Sequence, residues 1–217
     1  MDNFFIAIKI GASNFLTLAE FLTFFMLFFQ IGVKKKLNIA KIALNNTFLF
    51  YMLCMVALII FPLPDAAQAA RLSTYDFVWQ PLHSIADIVR ESPLDLHNFH
   101  TYLPALFNRA VLQVALNVLM TVPFGMFLTY RCRFGIKKVT ISTFFLSALF
   151  EVTQLTGLFF IYAGSYRVCD VDDLITNTLG GVLGYVVVKK CSRFLPKLER
   201  FDVVIPRKLF VKVSQAH

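Results

Sequence analysis

The chain is poor in charge: only 16% of its 217 residues are Asp, Glu, Lys or Arg, against 58% apolar ones. A soluble domain carries about a quarter charged residues, so this deficit excludes an ordinary water-soluble fold. The mean hydropathy of +0.68 points to a lipid-solvated protein. Acidic residues are the scarcer sign, 13 against 21 basic. The resulting net charge of +8 suits either nucleic acid or an anionic membrane surface. Because the basic residues flank hydrophobic runs, a bilayer is the expected partner and nucleic acid is not. The four cysteines lack zinc spacing, and His97 and His100 have no further ligand nearby in sequence. With Cys132 and Cys191 on the reducing side, Cys54 in a span and Cys169 alone outside, no structural disulfide is expected. A Walker motif, a dinucleotide fingerprint, a Gly-x-Ser-x-Gly elbow and internal repeats are all missing. A chain this short leaves little room for a separate soluble core, so residues 1–217 are read as a single integral membrane domain.

What the chain has is long hydrophobic runs. Five can be read, at 14–33, 42–61, 106–130, 139–163 and 174–188. About 20 helical residues cross a hydrocarbon core of roughly 30 Å, which predicts an all-α protein of about five spans. The first run contains Glu20, lacks a basic flank before it and has no small-residue cleavage site after it, so it reads as a retained span. Lys34, Lys35, Lys36 and Lys41 follow the first run, Arg131, Arg133, Lys137 and Lys138 follow the third, and the tail, 189–217, holds Lys189, Lys190, Arg193, Lys197, Arg200, Arg207, Lys208 and Lys212. Cytoplasmic loops collect such residues. The connections 62–105 and 164–173 are mixed or acidic and belong outside, with the N-terminus. Every loop fits an N-out, C-in alternation.

The long outer connection holds an apolar set, Leu82, Ile85 and Val89, that falls on one face if Pro81 opens a short helix. With Tyr75 and Trp79 it predicts an interfacial anchor. Glu151 and Gln154 share a helix face inside the fourth run. A carboxylate there costs several kcal/mol unless it is protonated, paired or wetted, so it must face protein or a polar cleft. One outlet is a hydrogen bond to Asn117 or Asn177; the other is function. Outside it, Arg167 precedes Asp170, Asp172 and Asp173 at a helix start, with Asn177 four residues past Asp173. Capping explains one carboxylate there. Three beside an arginine suggest a second role: holding a divalent cation, orienting Arg167 toward an anionic headgroup, or moving a proton. Thr176, Gly180 and Gly184 form a small-residue stripe for close helix packing, joined by Gly181 and, on the third run, by Pro123 and Gly125. Pro123 frees the carbonyl of Leu119.

Four ordered pieces resemble the VanZ-like family of bacterial membrane proteins. The first is Trp79-Gln80-Pro81-Leu82-His83-Ser84-Ile85, in which Trp79-Gln80 and Leu82 stand where the family pattern has asparagine and phenylalanine positions. The second is Asn117 through Pro123-Phe124-Gly125, and the third is Ser147-Ala148-Leu149-Phe150-Glu151-Val152-Thr153-Gln154. Last comes Arg167, then Asp170-Val171-Asp172-Asp173-Leu174-Ile175-Thr176-Asn177-Thr178-Leu179-Gly180-Gly181, followed by Gly184-Tyr185. Together they cover 79–185. The resemblance implies residence in the bacterial plasma membrane and reduced susceptibility to glycopeptides such as teicoplanin.

The expected function is therefore a non-transporting envelope protein. Its outer polar site, made by Asn117, Glu151, Gln154, Arg167, Asp170, Asp172, Asp173 and Asn177, would engage a cell-wall precursor, an envelope lipid or the drug itself. No resident cofactor is expected beyond a divalent cation that the Asp170, Asp172 and Asp173 group could hold, and a homo-oligomer is compatible with the sequence. Two other classes stay open: a membrane enzyme acting on an envelope lipid, and a proton-coupled carrier, which five spans without inverted repeats disfavour.

Overall fold

The computed structural model describes residues 2–60 and 63–204, with side chains from residue 15. Phe61 of the second run, Pro62, and Arg207, Lys208 and Lys212 of the tail lie outside the described residues. Along the chain run helices α1 (Asp2–Leu27), α2 (Ile39–Ile60), α3 (Ala66–Ala69), α4 (His83–Glu91), α5 (Tyr102–Leu106), α6 (Arg109–Tyr130), α7 (Ile136–Leu155), α8 (Gly157–Phe160) and α9 (Val171–Lys190). The protein is mostly helical, and four stretches are long and apolar enough to cross a membrane: Phe15–Val33, Ile39–Ile60, Arg109–Tyr130 and Val171–Lys190. α7 has the length of a span, 20 residues, but Lys137, Lys138 and Glu151 dilute its hydropathy.

The chain divides into two compact units, 1–62 with 192–217, and 63–191. In the first, α1 continues into a π-helical stretch, Phe28–Val33, before the chain turns into α2. Asn46 Nδ2 donates to Thr23 Oγ1 at 2.7 Å, and the rings of Phe15 and Phe50 meet edge to face 5.1 Å apart. These contacts run antiparallel along the two helices. Asn38, only 2% exposed, organises the turn. Its backbone N–H donates to Gln30 Oε1, its carboxamide donates to the Leu198 carbonyl and to Asp202, and its oxygen caps the Lys41 N–H of α2. Two-residue strands, Lys36–Leu37 and Val203–Val204, pair antiparallel beside it.

The second unit is built on α9, which packs against α6 and α7. Glycine makes this possible. A Cβ on Gly180 would overlap the Val118 carbonyl and the Thr121 hydroxyl, one on Gly184 the Val122 carbonyl, one on Gly181 the Thr143 side chain, and one on Gly125 the backbone of Gly181. The backbones thus touch where a larger residue would force them apart. Pro123 sits inside α6 on its exposed side, and Thr176 returns its hydroxyl to the Asp172 carbonyl. Away from these contacts, α6 exposes Leu112, Leu116 and Leu119, α7 exposes Ile141, Phe145 and Leu149, and α9 exposes Leu179, Leu183 and Val187. Such helical-period apolar stripes on the outside suit lipid.

Several expected boundaries move. In the run 139–163 the long helix α7 ends at Leu155 and only the short turn α8 follows, because Thr156 turns its hydroxyl back to the Val152 carbonyl and Gly157 then takes a φ of +58°. A side chain at Gly157 would strike the Gly164 and Tyr162 carbonyls, so the reversal needs glycine both for its dihedral and for its space. The run 106–130 begins at the last residue of α5 and, after a break, continues as α6, which starts where the Asn108 side chain caps the Val111 N–H. Pro81 does not open α4; it lies in the turn before it, and Leu82, with φ +65°, is the residue preceding His83 at the helix start. α4 nevertheless exposes Leu82, Ile85 and Val89, the last 72% accessible, while His83, Ser84, Asp87 and Ile88 turn toward protein. This reverses the arrangement of a water-facing helix.

Candidate functional site

The site gathers at the N-terminal end of α9. The two connections read as lying on one side of the membrane are hydrogen-bonded to each other there. Phe77–Val78 pairs in parallel with Cys169–Asp170. The Ser165 N–H donates to the Thr74 carbonyl at 2.9 Å, and the Cys169 N–H to the Asp76 carbonyl at 3.0 Å. The strand pair ends at Asp170, whose carboxylate caps α9 by accepting the Asp172 N–H at 2.8 Å. This is an ordinary N-cap. Asp172 does something else: its Oδ1 accepts the Leu82 N–H and its Oδ2 the Ser84 N–H, at 2.8 Å for the latter. α9 thereby caps α4 with one of its own first-turn carboxylates.

His83 sits between the two acids. Its Nε2 lies 3.2 Å from Asp170 Oδ2, its Nδ1 3.1 Å from Asp172 Oδ2, and Nδ1 also faces the Gln80 carbonyl at 3.0 Å. Asp170 and Asp172 are 7% and 3% exposed, and the imidazole is about a quarter exposed. Burial works against charge on His83, but the Gln80 carbonyl and the carboxylates of Asp170, Asp172 and Asp87 outweigh it and hold the imidazole above its ordinary pKa. Burial pushes the Asp170 carboxyl up, against the opposing Asp172 N–H and His83.

Beneath this outer layer a ladder of polar contacts descends between the helices. Glu151 Oε2 accepts the Asp170 N–H at 3.0 Å, which joins α7 to the chain just before α9. Asn117 on α6 donates its amide to Asp173 Oδ1. One turn further along α9, the Asn177 amide donates to Ser147 Oγ at 2.9 Å, and the Thr121 hydroxyl donates to the Asn177 carbonyl at 2.6 Å. Glu151 therefore does not bond Asn117 or Asn177, the structural role the sequence offers it; its partners are the Asp170 backbone N–H and the Cys169 thiol. The Asn177 Oδ1 is buried with no hydrogen-bond partner, an arrangement that costs about 1–3 kcal/mol where nothing fills it. Gln154 is buried on α7, and Arg167 is half-buried in the loop before Asp170. Cys169 is also buried, and burial together with Glu151 pushes its thiol up to about 12. A thiol held that high is not a nucleophile near neutral pH.

The group at 117–177 thus draws its buried polar residues from three helices, as their positions allow. The sequence reading missed His83, Leu82 and Ser84. The side chain placed between the first two aspartates is His83, and Asp173 turns away from them toward Asn117. His83 lay in plain view beside Pro81, but nothing in spacing alone links it to acids so far along the chain.

Four apolar helices, two of them packed through glycine beside buried acids, describe a membrane-type protein. A search of curated proteins returns no match, and neither does a search of solved structures. The family model described as VanZ/LLP1 matches residues 48–194, well over half of the chain and inclusive of every polar residue of the site. The chain belongs to the VanZ/LLP1 family.

Proposed function

We propose that the protein is a five-span component of the bacterial plasma membrane, with its N-terminus outside and its tail in the cytoplasm. In this reading its outward polar site engages an envelope lipid, a cell-wall precursor or a glycopeptide such as teicoplanin. α7 would supply the fifth span: at 20 residues its length approaches the roughly 30 Å of a hydrocarbon core. The orientation rests on the clustering of lysine and arginine in alternate connections. The inverted face of α4 supports a place for that helix in the interface.

The observation that carries the binding role is the polar ladder between the helices, the half-buried Asn117–Asp173 pair and the buried Ser147–Asn177 pair beneath Glu151–Asp170. A chain under pressure only to pack helices in lipid has no need of three acids and two amides here, because each costs free energy to desolvate. Arg167 would meet an anionic group of the ligand, the acids would orient it, and the unfilled Asn177 Oδ1 would accept from a ligand donor or water. The test is teicoplanin susceptibility of a Gram-positive host expressing the chain, beside an Asp173→Asn variant at equal membrane level. Protection by the parent that the variant loses is the expected result; susceptibility equal to the empty vector in both removes the proposal.

A membrane enzyme acting on an envelope lipid is the second reading, favoured by a buried carboxylate, Glu151, and a half-buried one, Asp173, held by different partners. Glu151 or Asp173 would serve as general acid or base. Turnover of an extracted lipid that disappears in Glu151→Gln at unchanged fold would select it.

A further inference from the structure

From the geometry we infer that His83, Asp170 and Asp172 form a binding site for a divalent transition-metal ion, manganese or zinc. The site goes beyond the binding reading above and does not depend on it. Its ligand set differs from the all-aspartate group suggested by sequence, in that His83 enters and Asp173 leaves.

The argument starts from atoms. One imidazole nitrogen and one oxygen from each carboxylate all lie within 4.8 Å of one another. Two ligand atoms bonded to one ion at about 2.1 Å, and separated by roughly 90–109°, stand about 3.0–3.4 Å apart. Only one imidazole nitrogen can reach the ion, and the 3.2 Å between Nε2 and Asp170 Oδ2 matches two neighbouring positions around it as well as it matches direct contact; Asp172, whose Oδ2 lies 3.1 Å from the other nitrogen, offers its oxygen from within 4.8 Å.

Tautomer chemistry adds a second, separate point. Nδ1 faces the Gln80 carbonyl at 3.0 Å, so it carries a proton. In neutral imidazole Nε2 then holds a lone pair, and it faces Asp170 Oδ2 at 3.2 Å. Two acceptors at that distance need something positive between them, either a second proton or a cation. A backbone carbonyl that fixes the tautomer while the other nitrogen is left for metal is the arrangement that ligating histidines use.

The surroundings favour a cation as well. The Asp172 N–H holds Oδ1 of Asp170, and the Leu82 and Ser84 N–H groups hold both oxygens of Asp172. The carboxylates are thus oriented from behind, and the ligand set spans two chain segments brought together by the Phe77–Val78 and Cys169–Asp170 pairing. The chemistry selects the ion. One nitrogen with two oxygens is too soft a set, and too small, for calcium, which takes 6–8 oxygens; imidazole with carboxylate suits manganese or zinc. Three protein donors leave open positions for water or for an anionic group, reached along the exposed quarter of His83. Bound there, the ion would tie the start of α4 to the start of α9.

The experiment uses the full chain purified in detergent, stripped with chelator and titrated with Mn²⁺. Binding is read from loss of the free-ion paramagnetic resonance signal, and Zn²⁺ is added as competitor. The expected result is about one site per chain, displaced by Zn²⁺, with affinity falling about 10-fold or more in His83→Gln and in Asp170→Asn while Asp173→Asn keeps it. Circular dichroism and melting without metal identify any variant that has lost its fold, and such a variant is replaced by Asp172→Asn. No binding by the parent chain overturns the inference, leaving His83 as an imidazolium clamp. Binding that His83→Gln leaves unchanged, or that calcium shares equally, overturns it too.

Discussion

The two units of this chain are both made of apolar helices, yet they are held by different means. Between α1 and α2 the contacts are side chain to side chain: an aromatic pair, Asn46 with Thr23, and a turn organised by Asn38. Between α6 and α9 they are backbone to backbone, through Gly125, Gly180, Gly181 and Gly184, with the polar ladder running beside them. In lipid there is little hydrophobic gain from joining two greasy surfaces, so close approach and hydrogen bonds must do the work. The second unit carries the buried acids, and a glycine-tight scaffold is what holds such groups at fixed distances.

The sharpest way to break this contrast is to give each unit a side chain where it has a glycine. Gly180→Leu should cost about 3 kcal/mol or more, since the new atoms meet the Val118 carbonyl rather than a yielding side chain. Gly32→Ala, where nothing lies within 4 Å, should leave stability within about 0.5 kcal/mol of the parent. Reversible unfolding in mixed micelles measures both. Equal losses would mean that the α6–α9 contact is looser than its geometry. Next in size comes Asn117→Ala, which strips Asp173 of its amide donor and should cost about 1–3 kcal/mol; the double change Asn117→Ala with Asp173→Ala should cost less than the sum of the singles, and strict additivity would deny the coupling.

The contrast also explains what could be seen in the sequence. Apolar runs and their basic flanks are local signals, so the membrane class, the helices and the small stripe on α9 were legible. Helix ends were less so. Asn108 and Gly157 set boundaries by a cap and by a left-handed turn, and both residues sit inside runs whose hydropathy continues past them. Glu151 is visible because a carboxylate in an apolar run stands out, and Asp170, Asp172 and Asp173 because they cluster before one; their partners are not. His83, Leu82 and Ser84 reach Asp170 and Asp172 only through the pairing of two distant loop segments, and two of the three bonds to Asp172 come from backbone N–H groups that every residue but proline has. Asn38 is the same lesson in the first unit: an asparagine before a helix announces a cap, but not a bond to Leu198.

That residue sets the last and smallest tests. Asn38→Ala removes the α2 cap and the bonds to Leu198 and Asp202, and should cost about 1–2 kcal/mol, read from the same unfolding assay. The Asp202 carboxyl is held below its ordinary pKa by the Asn38 amide and then by Lys41. A depressed carboxylate contributes stability that is fully present above its unfolded pKa, about 3.9, and is lost as the pH falls through the lower folded value. The parent should therefore lose a small increment of melting temperature on acidification below about pH 3.9 that Asp202→Asn, already neutral, does not. Because Lys41 and Lys36 share this carboxylate at 3.1 and 3.9 Å near the surface, salt should shrink the same increment. If the acid-dependent difference survives high salt, the hydrogen bond from Asn38 outweighs the lysines, and the first unit, like the second, is pinned by a buried amide.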